Sequence, residues 1–413
     1  DLYAQATQTL QTGFKALSRA ACNWVFPEEV ERPKMSAREK VAALGIDQER
    51  IIAADLAVDT EAPPPPTIAA ATEETAAEPT EAALPDEPEP PAPAPTAEET
   101  AVAGIVGTLL SELEAKGDEY LNRGLATYSP KYAAILTNIR ASPGPVLVYS
   151  QFKTMEGLGI FAAALRAAPE RYMPLDIVRP AGATEWEIPA GLMTPEARAR
   201  PRYILYTGDQ DLEKRRLLLQ LYNADVAGLP PRLSAQCAEL LAGAPDNRDG
   251  RVARIFMITQ SGAEGISLFN TRQVHVMEPY WNNVRIQQVI GRAIRLCSHM
   301  NLPWEERTVE VYRYLSVFDV AKGQKYLPDM NLTTDEIIFD IAGKKQRLAD
   351  GLAEIAQSAA VDCELHAFEH GETIKCFKFA AGARPAFMFH PDWQKDLAAA
   401  STVRAAAAGA GSI

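Results

Sequence analysis

The stretch Gln287-Gln288-Val289-Ile290-Gly291-Arg292-Ala293-Ile294-Arg295 holds an amide and two guanidiniums spaced four and three residues apart: Gln288, Arg292 and Arg295. On a helix those positions share one face. Two guanidiniums on one face of a pocket-lining helix suit the spread charge of a phosphoryl group in transfer. Gly291, between them, lets a neighbouring backbone or a phosphate come close. A merely solvated basic face fits less well. Val289, Ile290 and Ile294 make the opposite side apolar, and no acidic partners are interleaved. Just upstream, Ile258-Thr259-Gln260-Ser261-Gly262-Ala263-Glu264-Gly265-Ile266-Ser267-Leu268 runs from an apolar strand into small hydroxyls and two glycines three apart. At the C-terminal edge of a parallel sheet, where open α/β sheets bind ligands, exposed N–H groups and hydroxyls suit phosphate oxygens. Thr259, Gly262, Glu264, Gly265 and Ser267 are the candidates in this turn.

These residues need a sheet to stand on, and the flanking sequence supplies one. Between the two motifs, Val274-His275-Val276-Met277-Glu278-Pro279-Tyr280-Trp281-Asn282 reads as a strand, an acid and an aromatic turn feeding the arginine helix. Glu278, Trp281 and Asn282 are expected to be structural; Tyr280 and Trp281 could stack on a base but are expected to brace the turn, since a Trp is usually mostly buried. His275, inside an apolar strand, reads as a core histidine. Val146-Leu147-Val148-Tyr149-Ser150-Gln151-Phe152 is an apolar strand ending in Ser-Gln. Tyr206-Thr207-Gly208-Asp209 ends another, and Lys214, Arg215 and Arg216 follow it on a helix. Polar strand ends of this kind can take up backbone phosphates, which adds Ser150, Gln151, Thr207 and Gly208 to the candidates.

Strands are expected over 146–149, 203–206, 254–259, 273–277 and 309–314. Helices are expected over 153–166, 212–222, 284–296 and 334–359, the last capped by Thr333 or Thr334 with Glu336 in its first turn. Short apolar strands alternating with helices imply an α/β fold, a parallel sheet covered on both faces. Residues 180–201 and 230–250 read as insertions at sheet edges.

Charge and proline content divide the chain further. The net charge is −13, but twelve acids lie between Asp55 and Glu99 and no Lys or Arg between Ile51 and Ala115, so the remainder is close to neutral. Eleven of the 30 prolines fall between Pro63 and Pro95. Such a segment cannot bury enough apolar surface to offset its ordering entropy. The expected organisation is an ordered segment over 1–42 leading from a preceding lobe, a disordered Pro/Ala/Glu insert over 43–100, and an α/β lobe over 101–320. A helical extension over 321–396 and a flexible tail over 397–413 follow.

The five cysteines form no CxxC pair, which fits a reduced intracellular setting. Cys363, His366, His370 and Cys376 match no standard zinc spacing, and no metal is expected there. No apolar run is long enough to span a membrane. There is no G-x-x-x-x-G-K-[ST] loop and no strand ending in an acidic box, so the nucleotide cradle and magnesium carboxylates are expected elsewhere.

The order strand-YSQF, strand-TGD, ITQSGAEGISL, Trp281-Asn282 and QQVIGRAIR resembles the motifs of the second RecA-like lobe of superfamily-2 helicases. The Trp281-Asn282 element and the G-x-x-G-I-S-L form resemble the Swi/Snf-type branch. The nearest resemblance is to the helicase-like ATPases of large nucleocytoplasmic DNA viruses, the group of the poxvirus early transcription factor small subunit and nucleoside triphosphatase I. Cys22-Asn23-Trp24-Val25-Phe26-Pro27, Tyr128-Ser129-Pro130-Lys131-Tyr132, Arg292 to His299 and Ala360-Val361-Asp362-Cys363 are also similar to that group. The resemblance covers roughly residues 15–42 and 120–365.

It implies a RecA-like lobe in which Arg292 and Arg295 act as arginine fingers toward ATP with Mg, and Gln288 helps arrange the same site. Thr259, Gly262, Gly265 and the backbone around Ser267 would grip nucleic-acid phosphates, with Ser150 and Gln151 as further contacts. The implied partners are nucleic acid (DNA ahead of RNA), an N-terminal RecA-like lobe, and RNA polymerase or transcription machinery. The implied setting is a virion or a host cytoplasm or nucleus. The rival expectation is a non-enzymatic docking scaffold.

Overall fold

A computed structural model describes residues 16–30, 97–180, 182, 185–259, 265–318, 332–360, 362–363, 366 and 374–376. Most of the expected acidic insert lies outside these residues, as do Gln260 to Glu264 and His370. The chain divides into two compact units, residues 1–280 with 284–339, and residues 281–283 with 340–413.

In the first unit lie the strands β1 (Val146–Tyr149), β2 (Met173–Pro174), β3 (Arg202–Tyr206), β4 (Ile255–Ile258), β5 (Gln273–Val276) and β6 (Glu310–Arg313). They form one sheet in the order β2-β3-β4-β1-β5-β6, with every pairing parallel. The helices are α1 (Ala16–Asn23), α2 (Ala97–Ala115), α3 (Leu125–Tyr128), α4 (Pro130–Ala141), α5 (Leu158–Ala167), α6 (Pro195–Ala199), α7 (Leu212–Tyr222), α8 (Pro231–Leu241), α9 (Asn283–Ala293) and α10 (Thr334–Ala359). This is the RecA-like α/β architecture that the motif order implies.

Every residue of β1, β4 and β5 is buried. A parallel strand with helices on both faces must be apolar at successive positions, because neither side meets water. Alternate residues feed two separate cores. Leu147, Tyr149, Phe256 and Ile258 pack with α7, α8 and α9, whereas Val146, Val148, Ile255 and Met257 pack with α4 and α5. Trp24 joins the second core and stacks on Tyr132 at 6.1 Å. The short block Cys22 to Pro27 is therefore part of the lobe's packing. Burying a side chain of this size contributes roughly 2–3 kcal/mol.

Several boundaries differ from the sequence expectation. Helix α5 starts at Leu158, because residues 150–157 form a tight turn first. Phe152 N donates to Ser150 Oγ at 3.1 Å and Leu158 N to Phe152 O at 2.9 Å. Gly157 passes so close to the Phe152 carbonyl that a Cβ there would overlap it. Helix α9 stops at Ala293, three residues early, and Ile294 is half exposed instead of apolar and packed. The two-residue edge strand β2 was not expected. The N-terminus of α10 behaves as expected: Glu336 N donates to Thr333 Oγ1 at 3.1 Å, and Thr333 N to Glu336 Oε2 at 2.7 Å, a reciprocal capping box.

Cys363 and Cys376, in the second unit, are joined in a disulfide, where a reduced setting was expected. Their Cα atoms lie 5.7 Å apart, within disulfide reach, which a spacing of 13 residues could not reveal. Among the described residues, no helix is long and apolar enough to cross a membrane.

His275 is a core residue. Its Nδ1 meets Tyr314 Oη at 2.8 Å, its Nε2 meets Gln273 Oε1 at 3.1 Å, and its ring stacks on Tyr312. Burial pushes its pKa from the usual 6.5 down to about 3, with Glu310 pulling weakly the other way. Above pH 6.5 both folded and unfolded chains carry a neutral imidazole. Below it the unfolded chain takes up a proton that the folded chain refuses. Stability is then lost as the pH falls from 6.5 toward 3, at up to about 1.4 kcal/mol per unit. His275→Gln should flatten this part of the plot of urea midpoint against pH. An unchanged slope would assign the acid sensitivity to other groups.

Candidate functional site

The registers of β3, β4, β1 and β5 align their C-terminal ends. Thr207, Thr259, Ser150 and Glu278 therefore stand near one another along that edge, in sheet order. All four are buried.

Glu278 is 1% exposed. It accepts from Ser150 Oγ at 3.0 Å, from Asn23 Nδ2 at 3.1 Å and from the Gln151 amide. Asn23 Oδ1 in turn accepts from Lys131 Nζ at 2.8 Å, and Lys131 pairs with Asp335 at 2.7 Å. Asp335 also takes the Ser316 amide at 2.9 Å. Arg19 Nη2 donates to Gln151 Oε1 at 2.6 Å. Burial pushes the Glu278 carboxyl up, opposed by the Gln151 amide and by the charges of Lys131 and Arg19. Burial lowers Arg19, opposed chiefly by Glu278. Two cations thus face two carboxylates out of water.

This arrangement changes the reading of Ser150 and Gln151, which were expected to contact nucleic-acid backbone. Their side chains are buried and hydrogen-bonded within the network. Their role here is to seat Glu278 and Arg19. Glu278 is buried at the centre of this network. Of the network's other members, Asn23 and Lys131 stood only within resemblance motifs. Arg19 and Asp335 carried no local signal, because their partners lie 132 and 204 residues away.

Thr207 is likewise buried, its amide donating to Gln210 Oε1 at 3.3 Å, with Gly208 half-buried beside it. Asp209 pairs with Lys153 at 2.7 Å. Burial pushes Asp209 up, and the bonds from Lys153 and Thr207 outweigh it, holding the carboxyl below its usual range. Lys214 pairs with Asp176 at 2.7 Å.

The arginine helix is built differently. Ile286, Val289, Ile290 and Ala293 bury one face of α9 in the core, leaving Gln288 exposed and Arg292 half-buried on the other. Arg295 lies beyond the helix end, not on its last turn. Ser298 explains the stop: its hydroxyl donates to Ala293 O at 3.2 Å and accepts from Arg295 N at 3.3 Å. Cys297 is in the left-handed region at φ 65°. His299 Nδ1 meets the same hydroxyl at 2.8 Å, and its Nε2 meets Thr271 O at 2.7 Å.

So turned, the Arg295 guanidinium donates to Ser267 Oγ at 2.7 Å. Asn223, at the end of α7, holds the same loop by donating to Ser267 O at 2.9 Å and accepting from Phe269 N at 3.0 Å. Leu268 N donates to Arg292 O at 3.0 Å. Gly265 has φ 69°, a conformation its lack of Cβ permits. Thr259 is fully buried, and Gly262 and Glu264 lie outside the described residues. Trp281 is half-buried and Asn282 exposed.

Two features fit this end of the lobe to a phosphate group. No atom lies within 4 Å of where a Cβ would stand on Gly291. Arg295 is held by a neutral hydroxyl and makes no ion pair among the described residues. Among the described residues no cluster of three or more His, Cys, Asp or Glu could hold a metal.

No protein-family model matches the chain. It is homologous over 65% of its length to helicase-like proteins of large DNA viruses. A candidate ATP-dependent RNA helicase of Acanthamoeba polyphaga mimivirus is 32% identical over 274 residues, 65% of this chain and 28% of that protein. A termination factor NPH-I homologue of African swine fever virus is 30% identical over 292 residues, 65% of this chain and 36% of that protein. The chain thus spans about a third of the length of these relatives. Among solved structures, the C-terminal part of the Fun30 ATPase domain aligns with 53% of this chain and 55% of that one, at 14% identity and a TM-score of 0.28.

Removing Lys131 takes away the cation hydrogen-bonded to Asp335 and to the Asn23 side-chain oxygen in a buried setting. Lys131→Met should therefore cost about 3–5 kcal/mol in urea unfolding. Combined with Asp335→Asn, it should cost clearly less than the two single changes added together. A loss below about 1 kcal/mol for Lys131→Met would show that the network does not hold these segments.

Proposed function

We propose that this chain, with its viral helicase-like homology, is the second motor lobe of a nucleic-acid-dependent ATPase. The observation that carries this reading is the arginine pair. Arg292 stands on the side of α9 away from the core, the helix's other face being locked in that core, and Arg295 follows just beyond the helix end with its guanidinium bonded to Ser267 Oγ.

ATP with Mg supplies the phosphoryl group in this reading, cradled mainly by a partner RecA-like lobe, because the chain has no phosphate-binding loop. The chain alone would not hydrolyse ATP. Arg292 and Arg295 bring positive charge to the equatorial oxygens of the transferring group, and Gln288 orients the same face. Gly291 leaves room for the group to approach. The loop from Gly265 to Ser267 would grip nucleic-acid phosphates. Leu268 ties that loop to Arg292 on α9, and Asn223 ties it to the end of α7, so the grip and the Arg292 charge would move together. DNA is the proposed track, and viral transcription beside an RNA polymerase the proposed setting.

Arg292→Ala in the complete ATPase should lower turnover by about 10³-fold or more while nucleic-acid binding survives. Turnover near the parent level would remove the finger assignment. Gly291→Ala gives a complementary test. It should raise the unfolding midpoint, by about 0.5–1 kcal/mol of helix propensity, because nothing crowds the new methyl. Yet it should depress turnover by filling the space a phosphate needs. A stabilised variant with full turnover would place the phosphate elsewhere.

A further inference from the structure

The end of the sheet where β3 and β4 begin holds a concentration of positive charge that the proposed function does not use. A cavity of about 660 Å³ opens where β3 and β4 begin. Six arginines line it, Arg140, Arg198, Arg200, Arg202, Arg251 and Arg254, against two carboxylates, Glu170 and Asp249. That is a strongly cationic cavity in a chain of net charge −13.

Three of these arginines pair with acids: Arg140 with Glu170, Arg198 with Glu239, and Arg251 with Asp249. Among the described residues, the other three bond only to backbone carbonyls. Arg202, 3% exposed, donates to Val252 O at 2.8 Å, Arg198 O at 3.0 Å, Arg200 O at 3.1 Å, Ala197 O at 3.3 Å and Arg251 O. Arg254 donates to the carbonyls of Ile139, Ser142 and Asp249. Arg200 donates to Arg171 O at 2.8 Å. Carbonyls fix a guanidinium in place without neutralising it, and an unneutralised charge out of water is costly. Burial accordingly holds the Arg202 pKa down at about 10, with no carboxylate acting to raise it. At the other edge, the buried cations Arg19 and Lys131 are matched by Glu278 and Asp335. Among the described residues, no carboxylate pairs with Arg200, Arg202 or Arg254 here.

We propose that this cavity binds a phosphate-bearing ligand. Guanidinium forks match phosphate oxygens in pairs, and carbonyl-pinned arginines are already ordered before the ligand arrives. The volume lies within the range of small-ligand sites. The phosphate belongs either to a nucleotide-sized molecule or to a nucleic-acid backbone. The site is separate from Arg292 and does not depend on the motor assignment.

The test is calorimetric titration of the full chain with inorganic pyrophosphate at low salt. It compares the parent, Arg200→Ala, the double variant Arg200→Ala/Arg251→Ala, and Arg292→Ala. Arg202 is left alone because its carbonyl bonds also hold the fold. We expect one pyrophosphate per chain, bound about tenfold or more weakly by Arg200→Ala, weaker still by the double variant, and unchanged by Arg292→Ala. Unfolding midpoints matching the parent establish that the losses are local. Absence of saturable binding in the parent overturns the proposal. So does binding that survives the double variant, or that is lost in Arg292→Ala alone. Once binding is established, displacement by a short DNA duplex assigns the phosphate to nucleic acid, and displacement by ADP alone assigns it to a nucleotide.

Discussion

The side-chain amide of Asn23 donates to Glu278 and accepts from Lys131 at once, and the lobe depends on that double bond. A side-chain amide does both, donating through its NH2 and accepting through its oxygen. Through it the end of α1, the start of α4, the end of β1, the residue beyond β5 and the first turn of α10 meet at one point. Asn23 and Glu278 are 255 residues apart in sequence. Charges taken from water are tolerated only when nearly every donor and acceptor is matched, so this cluster admits little geometric freedom. It thereby fixes the turn from Ser150 to Gly157 and delays the start of α5.

Around this point the sheet presents two unlike edges. At the C-terminal edge, acids inside the chain answer the buried cations Arg19 and Lys131. At the N-terminal edge, carbonyls hold arginines that no acid among the described residues answers. The net charge of the whole chain says nothing of either, because the acids of residues 55–99 dominate it.

The arginine element rests on packing and one hydroxyl. The apolar face of α9 fixes the axis of the helix, and Ser298 ends it two residues before Arg295. Because of that stop, Arg295 turns toward Ser267 and does not continue along the helix. His299, bonded both to Ser298 and to the Thr271 carbonyl, anchors the stop to the strand beside it. The left-handed Cys297 completes the reversal.

Periodicity determined the α/β class, the strands starting at Val146 and Gln273 and the helix from Leu212 to Tyr222, and residue type narrowed the cap to Thr333 or Thr334. Each of these depends on residues a few positions apart. The apolar side of the arginine helix was legible for the same reason, through Val289 and Ile290. Only the tertiary structure decided what the polar strand ends do. Ser150 and Gln151 read as open phosphate contacts until their partners, Glu278 and Arg19, are in place. The helix stop before Arg295, the disulfide between Cys363 and Cys376 and the arginine-lined cavity were equally hidden. A side chain's burial and charge state depend on neighbours brought from distant parts of the chain, and local spacing carries no record of them.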